Sequence, residues 1–150
     1  MPYYFAYGSC MNVNDIKRTV DGKRLGPALL HDYTFGFRAF SHKREGGVAD
    51  IIFEEGKTVE GALFEVPGFE ELDIREGYPL VYDRIPVHVK RLESNEWVKA
   101  ETYTIKDKAV TDIPPSKYYA GLIEEGAEIL SLEYQDQLRK MIRELWRKGK

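Results

Sequence analysis

The chain has one cysteine in 150 residues, which excludes an internal disulfide, and its three scattered histidines (His31, His42, His88) have no spacing suited to a structural zinc site. Neither a metal nor a cofactor is implied. No run approaches the roughly 20 apolar residues that span a bilayer, and the N-terminus lacks the charged-then-apolar order of a secretory leader, so a cytoplasmic location without a membrane partner is expected. Charge of one sign is also scarce. A net charge of -3, with the 31% charged residues mixed in sign, argues against nucleic acid as a partner. The most basic run, Arg139 to Lys150, is interleaved with Met141, Ile142, Leu145 and Trp146 and reads as the polar side of a terminal amphipathic helix. Repeats, linkers and low-complexity segments are absent, leaving a single domain over residues 1–150. Oligomeric state is left open.

Most of the chain consists of short aromatic and β-branched runs separated by turn residues. Strands are predicted over Tyr3 to Tyr7, Tyr33 to Phe40, Val48 to Phe53, Val59 to Val66, Ile85 to Leu92 and Trp97 to Ile105. The alternation of Tyr33, Phe35 and Phe37, and of Ile85, Val87 and Val89, places each set on one face of a sheet. The polar stretch Glu93 to Glu96 makes the last two strands a hairpin. Gly46-Gly47 marks a turn, a strand start or a close approach by another segment. Near the C-terminus, Ser116 caps a helix carrying Tyr119, Leu122, Ile123, Ala127 and Leu130, and a second helix starts near Ser131. Strands followed by helices indicate an α+β fold with a curved or barrel-like sheet.

Two places invite chemistry. In YFAYGSCMN, an aromatic strand stops at Gly8-Ser9, a turn whose N–H groups could hold an anion; an ordinary strand-ending turn is the plainer reading. A helix starting between Met11 and Val20, capped by Asn12 or Asn14, would add its dipole. Cys10 could be a nucleophile but has no evident base nearby. In Phe69 to Glu76, helical spacing puts Phe69, Leu72 and Glu76 on one side, with Gly77 ending the helix and Glu71 and Arg75 pairing on the solvent side. A carboxyl on an apolar face either becomes useful for moving protons or reaches solvent or Arg84; Asp73 competes for either role.

Taken together, YFAYGS (Tyr4 to Ser9), GGVADI (Gly46 to Ile51), VEGALFEV (Val59 to Val66), LDIREG (Leu72 to Gly77) and PPSKYYAGLIEEGAE (Pro114 to Glu128) resemble the γ-glutamylcyclotransferase family. The resemblance implies a small mixed barrel with flanking helices and an enzyme that cyclises γ-glutamyl groups to 5-oxoproline, releasing an amine without a cofactor. Carried over by position, Glu76 is the expected catalytic acid/base. Tyr4, Phe5, Ala6, Tyr7, Gly8, Ser9 and Tyr119 are the expected substrate-binding residues. Cys10 stands where members commonly have Asn. A non-catalytic binding or interaction domain on the same fold, and a thiol-dependent amide hydrolase, are the alternatives.

Overall fold

The computed structural model describes residues 2–148, so Gly149 and Lys150, the end of the basic run, lie outside the described residues. Five strands, β1 (Tyr3–Ala6), β2 (Lys23–Ser41), β3 (Gly46–Glu65), β4 (Tyr82–Arg91) and β5 (Trp97–Ile105), form a closed barrel in the order β1-β3-β2-β4-β5. All neighbours are antiparallel except β1 and β5, which pair in parallel at Tyr4 and Glu101 and so close the ring. The Thr102 hydroxyl reinforces that seam by donating to the Phe5 carbonyl at 2.7 Å. Phe5, Phe37, Ile51, Leu63 and Phe64 are fully buried in the hydrophobic core, which extends over both faces of the barrel wall.

The expected hairpin between β4 and β5 is present, but two strand expectations need correction. The predicted strands 48–53 and 59–66 are one continuous strand, β3, because the polar run Glu54 to Lys57 is accommodated opposite a single residue. Tyr33 pairs with Phe53 and His31 with Thr58, and Asp32 (φ 68°) accepts the Gly56 N–H at 3.0 Å. Strand β2 begins at Lys23 rather than Tyr33. Gly26-Pro27 reads as a break, yet a register shift at Gly26 (φ 135°) absorbs the irregularity and the Pro27 carbonyl accepts from Leu92 N–H at 3.1 Å.

Among the described residues, four α-helices flank the barrel: α1 (Val13–Ile16), α2 (Glu70–Glu76), α3 (Lys117–Gly126) and α4 (Leu132–Lys148). Their starts follow local chemistry. Asn12 caps α1 by accepting from the N–H groups of Asn14 and Asp15, Ser116 caps α3 by accepting from Tyr119 N–H, and Ser131 does the same for Tyr134 N–H ahead of α4. Gly77, at φ 71°, ends α2 in the left-handed conformation. Gly46 and Gly47 allow residues 113–116 to lie against β3, since a Cβ on Gly47 would sit 2.0 Å from the Ile113 carbonyl oxygen. This approach fixes the start of α3 against the first residues of β3. Trp146 on α4 anchors the same segment by donating from Nε1 to the Pro115 carbonyl at 2.8 Å.

Candidate active site

At the end of β1 the chain turns through a single 3₁₀ turn, Ser9–Met11, in which the N–H groups of Met11 and Asn12 return to the carbonyls of Gly8 and Ser9. The first N–H groups of such a turn have no intrahelical acceptor. Gly8 is required here: a Cβ would lie 2.9 Å from that of Ala49 and 3.6 Å from the Tyr119 hydroxyl. The turn forms one wall of a narrow recess of about 40 Å³, also lined by Tyr4, Tyr7, Cys10, Glu76, Tyr82, Tyr103 and Tyr119. The recess adjoins a wider cleft of about 480 Å³, with Ser9, Glu76, Tyr82 and Tyr119 lining both. Phe5 and Ala6 line neither, because their side chains are packed in the core.

Glu76 is the last residue of α2, on the face that buries Leu72. Its side chain retains 18% exposure, and among the described residues its carboxyl takes no hydrogen bond; its ionic contact is a long one, 3.8 Å from Arg75 Nε. Burial raises its pKa, and nearby Asp15 adds to the rise, while the Arg75 and Arg44 charges offset only part of it. Asp73 is occupied elsewhere. It accepts from the Tyr103 hydroxyl at 2.6 Å and from Arg84 Nη1 at 2.5 Å, so the competing carboxylate belongs to a structural network and Arg84 is committed to Asp73 and Glu101 rather than to Glu76.

Arg75 does not pair with Glu71 at the surface as the helical spacing suggests. It turns inward, donating to Asp15 Oδ2 at 2.5 Å, the Thr19 hydroxyl at 3.0 Å and the Ser9 hydroxyl at 3.2 Å. Asp15, only 1% exposed in its side chain, would be raised by burial alone, but the Arg75 hydrogen bond and the charges of Arg75 and Arg44 hold it below the usual carboxylate range. This pair ties α1, α2 and the Ser9 turn together. Sequence reasoning missed both roles, since a partner 60 positions away leaves no mark in local spacing.

The tyrosines are oriented by specific bonds. Tyr7 donates to the Tyr103 carbonyl at 2.5 Å, so its proton is used in the barrel wall. The Tyr119 hydroxyl instead accepts the Ala49 N–H at 3.0 Å, which leaves its own proton free to be donated into the recess. Burial pushes the Cys10 thiol up to about 11, so it is neutral near pH 7, and no histidine lines either hollow. Among the described residues, no group of three or more His, Cys, Asp or Glu side chains could hold a metal ion, and no helix is long and apolar enough to cross a membrane.

A closed mixed barrel with flanking helices is the architecture of a solved gamma-glutamyl cyclotransferase, which superposes with a TM-score of 0.84 at 28% identity over 92% of this chain and 86% of that one. The crystal structure of YkqA from Bacillus subtilis gives a TM-score of 0.81 at 32% identity, over 95% of this chain and 54% of YkqA. In sequence, "Putative gamma-glutamylcyclotransferase YkqA" from Bacillus subtilis (strain 168) is 35% identical over 151 residues, covering 95% of this chain and 53% of that protein. This chain therefore spans about half the length of that relative. The profile of the family described as "Gamma-glutamyl cyclotransferase, AIG2-like" matches residues 4–121, and the chain belongs to that family.

Proposed function

We propose that the chain is a γ-glutamylcyclotransferase that converts a γ-glutamyl amide to 5-oxoproline and a free amine, with Glu76 as general acid/base. The observation that carries this reading is Glu76 itself. Its carboxyl has a raised pKa, takes no hydrogen bond among the described residues and opens into a recess walled by the Ser9–Met11 turn. Family membership supports the same reading.

The substrate carries its own nucleophile, so the protein has only to fold it and move protons. The Ser9–Met11 turn receives the α-carboxylate on its N–H groups. Glu76 takes a proton from the α-ammonium, and the freed amine attacks the γ-carbonyl carbon. A new C–N bond closes the five-membered ring as the old amide C–N bond breaks. The two protons lost by the α-nitrogen end on the departing nitrogen, so Glu76 finishes in the ionisation state in which it began. A raised carboxyl pKa narrows its gap to the amines on either side of the transfer. The Tyr119 hydroxyl donates to the oxygen that gains charge in the tetrahedral intermediate.

The test is product identity in water enriched with heavy oxygen. Cyclisation yields 5-oxoproline without added label. Labelled glutamate as the first product would replace this mechanism with hydrolysis, and thermal stabilisation by 5-oxoproline with no turnover of any γ-glutamyl compound would leave a binding domain.

A further inference from the structure

At its start β3 has β2 on one side, but β1 pairs with it only from Ala62 onward, so among the described residues no strand covers the other edge of Gly47 to Ile51. Other groups fill that edge. The Gly47 N–H donates to the Pro114 carbonyl at 2.9 Å and the Ala49 N–H to the Tyr119 hydroxyl at 3.0 Å, while the Tyr82 hydroxyl reaches the Ala49 carbonyl at 3.5 Å. Tyr119 and Tyr82 both line the recess, so the placement of the Ala49 backbone decides where two of its hydroxyls point.

The next residue, Asp50, is a fully buried acid that the ring-closing chemistry does not use. Its Oδ1 accepts the Ile105 N–H at 3.0 Å, and its Oδ2 accepts from Lys108 Nζ at 2.8 Å. Lys108 donates its other two protons to the Thr104 hydroxyl at 2.6 Å and the Ile105 carbonyl at 2.7 Å. The Thr104 hydroxyl in turn lies 2.9 Å from Asp50 Oδ1 and 3.1 Å from the Ile51 carbonyl, back on the same edge of β3. Desolvation offsets much of the attraction in a buried ion pair; what these directed bonds supply is geometry.

That geometry bears on Tyr119. Lys108 stands near the start of the segment that runs from β5 to α3, and Pro114 near its end. The segment is therefore pinned to β3 twice, at Asp50 and at Gly47, on either side of the Ala49 N–H that meets Tyr119. Neither Asp50 nor Lys108 lines the recess or the wide cleft.

We propose that Asp50 and Lys108 are positioning residues for ring closure: they hold the Ala49 edge of β3 against residues 108–114 and so set the place from which the Tyr119 hydroxyl donates to the oxygen that gains charge. This rests on the cyclotransferase reading, since it assigns the step that Tyr119 assists.

The experiment is a double-mutant cycle on 5-oxoproline formation from γ-glutamyl-alanine, or from whichever γ-glutamyl compound the unaltered protein turns over fastest, with kcat normalised to the folded fraction read by near-ultraviolet circular dichroism. Tyr119→Phe should lower kcat about 10²–10³-fold, the usual cost of removing an oxyanion donor. Asp50→Asn keeps an acceptor for the Ile105 N–H but loses the ion pair. It should lower kcat about tenfold and leave KM within about twofold, because the turn that receives the α-carboxylate is untouched. In the Tyr119→Phe background the same substitution should change kcat by less than about twofold, since the hydroxyl it positions is gone. The neutral pair Asp50→Asn/Lys108→Met, which strands no charge, goes through the same cycle with the same expectation. Equal loss in both backgrounds, a rise in KM at constant kcat, or no loss at all would overturn the positioning role while leaving the cyclotransferase intact. Failure of both variants to fold would reduce the pair to a stabilising element and overturn that role too. Absence of 5-oxoproline from every γ-glutamyl compound tried with the unaltered protein would overturn both readings.

Discussion

Asp15 and Glu76 are two carboxyls that line the same cleft, both desolvated and both near Arg75, yet their environments move them in opposite directions. Asp15 has Arg75 at 2.5 Å, with Arg18 and Arg44 each at 3.4 Å, and is held low as a permanent anion. Glu76 meets the same Arg75 only at 3.8 Å and rises. Proximity to a cation is not enough to keep a buried carboxyl ionised; a short, directed bond is what overcomes burial. The first carboxyl is held as an anion, and the second is left without the bond that would hold it so.

The largest effect is expected from Glu76→Gln. It is nearly isosteric and breaks no short bond, so the melting temperature should hold while turnover to 5-oxoproline falls by about 10²–10⁴-fold, the usual contribution of a positioned acid/base. Loss of fold with loss of activity would erase the distinction between the two sites. Next, Asp15→Ala should cost about 3–5 kcal/mol in urea denaturation, because it strands the partly buried Arg75 without its partner. A value near zero would place Asp15 among ordinary surface acids.

The pH dependence of stability should separate the pair without ambiguity of sign. Glu76 has a raised folded pKa, so its contribution is fully present below its unfolded value and is lost as pH rises through the folded one; Glu76→Gln should remove that loss. Asp15 has a lowered pKa, so its contribution is present above its unfolded value and is lost as pH falls through the folded one; Asp15→Asn should remove that acid-side loss. In activity, the acid limb of kcat/KM should lie above the ordinary glutamate value of about 4.3. The smallest effect is expected from Cys10→Ser, which should keep turnover within about threefold, since a thiol raised to about 11 contributes little thiolate. Complete loss with an intact fold would return the chemistry to the thiol.

Features set by short-range rules were legible in the sequence. The N-cap at Ser116, the left-handed Gly77 and the spacing that turns Glu76 inward all follow from residues within one or two helical turns. Gly46-Gly47 was open to a turn, a strand start or a close approach; β3 starts there and Ile113 makes the approach. What failed to show depended on distant partners. Arg75 has Glu71 at helical spacing and prefers Asp15 because a fully buried acid needs a cation more than an exposed one does. The first half of β2 was hidden by Gly26-Pro27, whose breaking tendency is overcome by pairing with β3 from Lys23 onward. The wide cleft was invisible too, since Arg18 and Lys43, which line it, converge only once the barrel closes.

The parallel seam between β1 and β5 also sets a schedule for synthesis. Phe5 and Thr102, bonded across it, are 97 positions apart, so a ribosome adding about 5–20 residues per second delivers the second roughly 5–20 s after the first. During that interval the N-terminal strand can lie against β3 but has an unpaired outer edge, and Tyr119 has not yet emerged to meet Ala49. The emerging protein therefore passes through a stage in which the aromatic-rich strand β1 is open to other chains. A message truncated before β5 would not yield a less stable barrel; it would yield an unfinished sheet with an open edge.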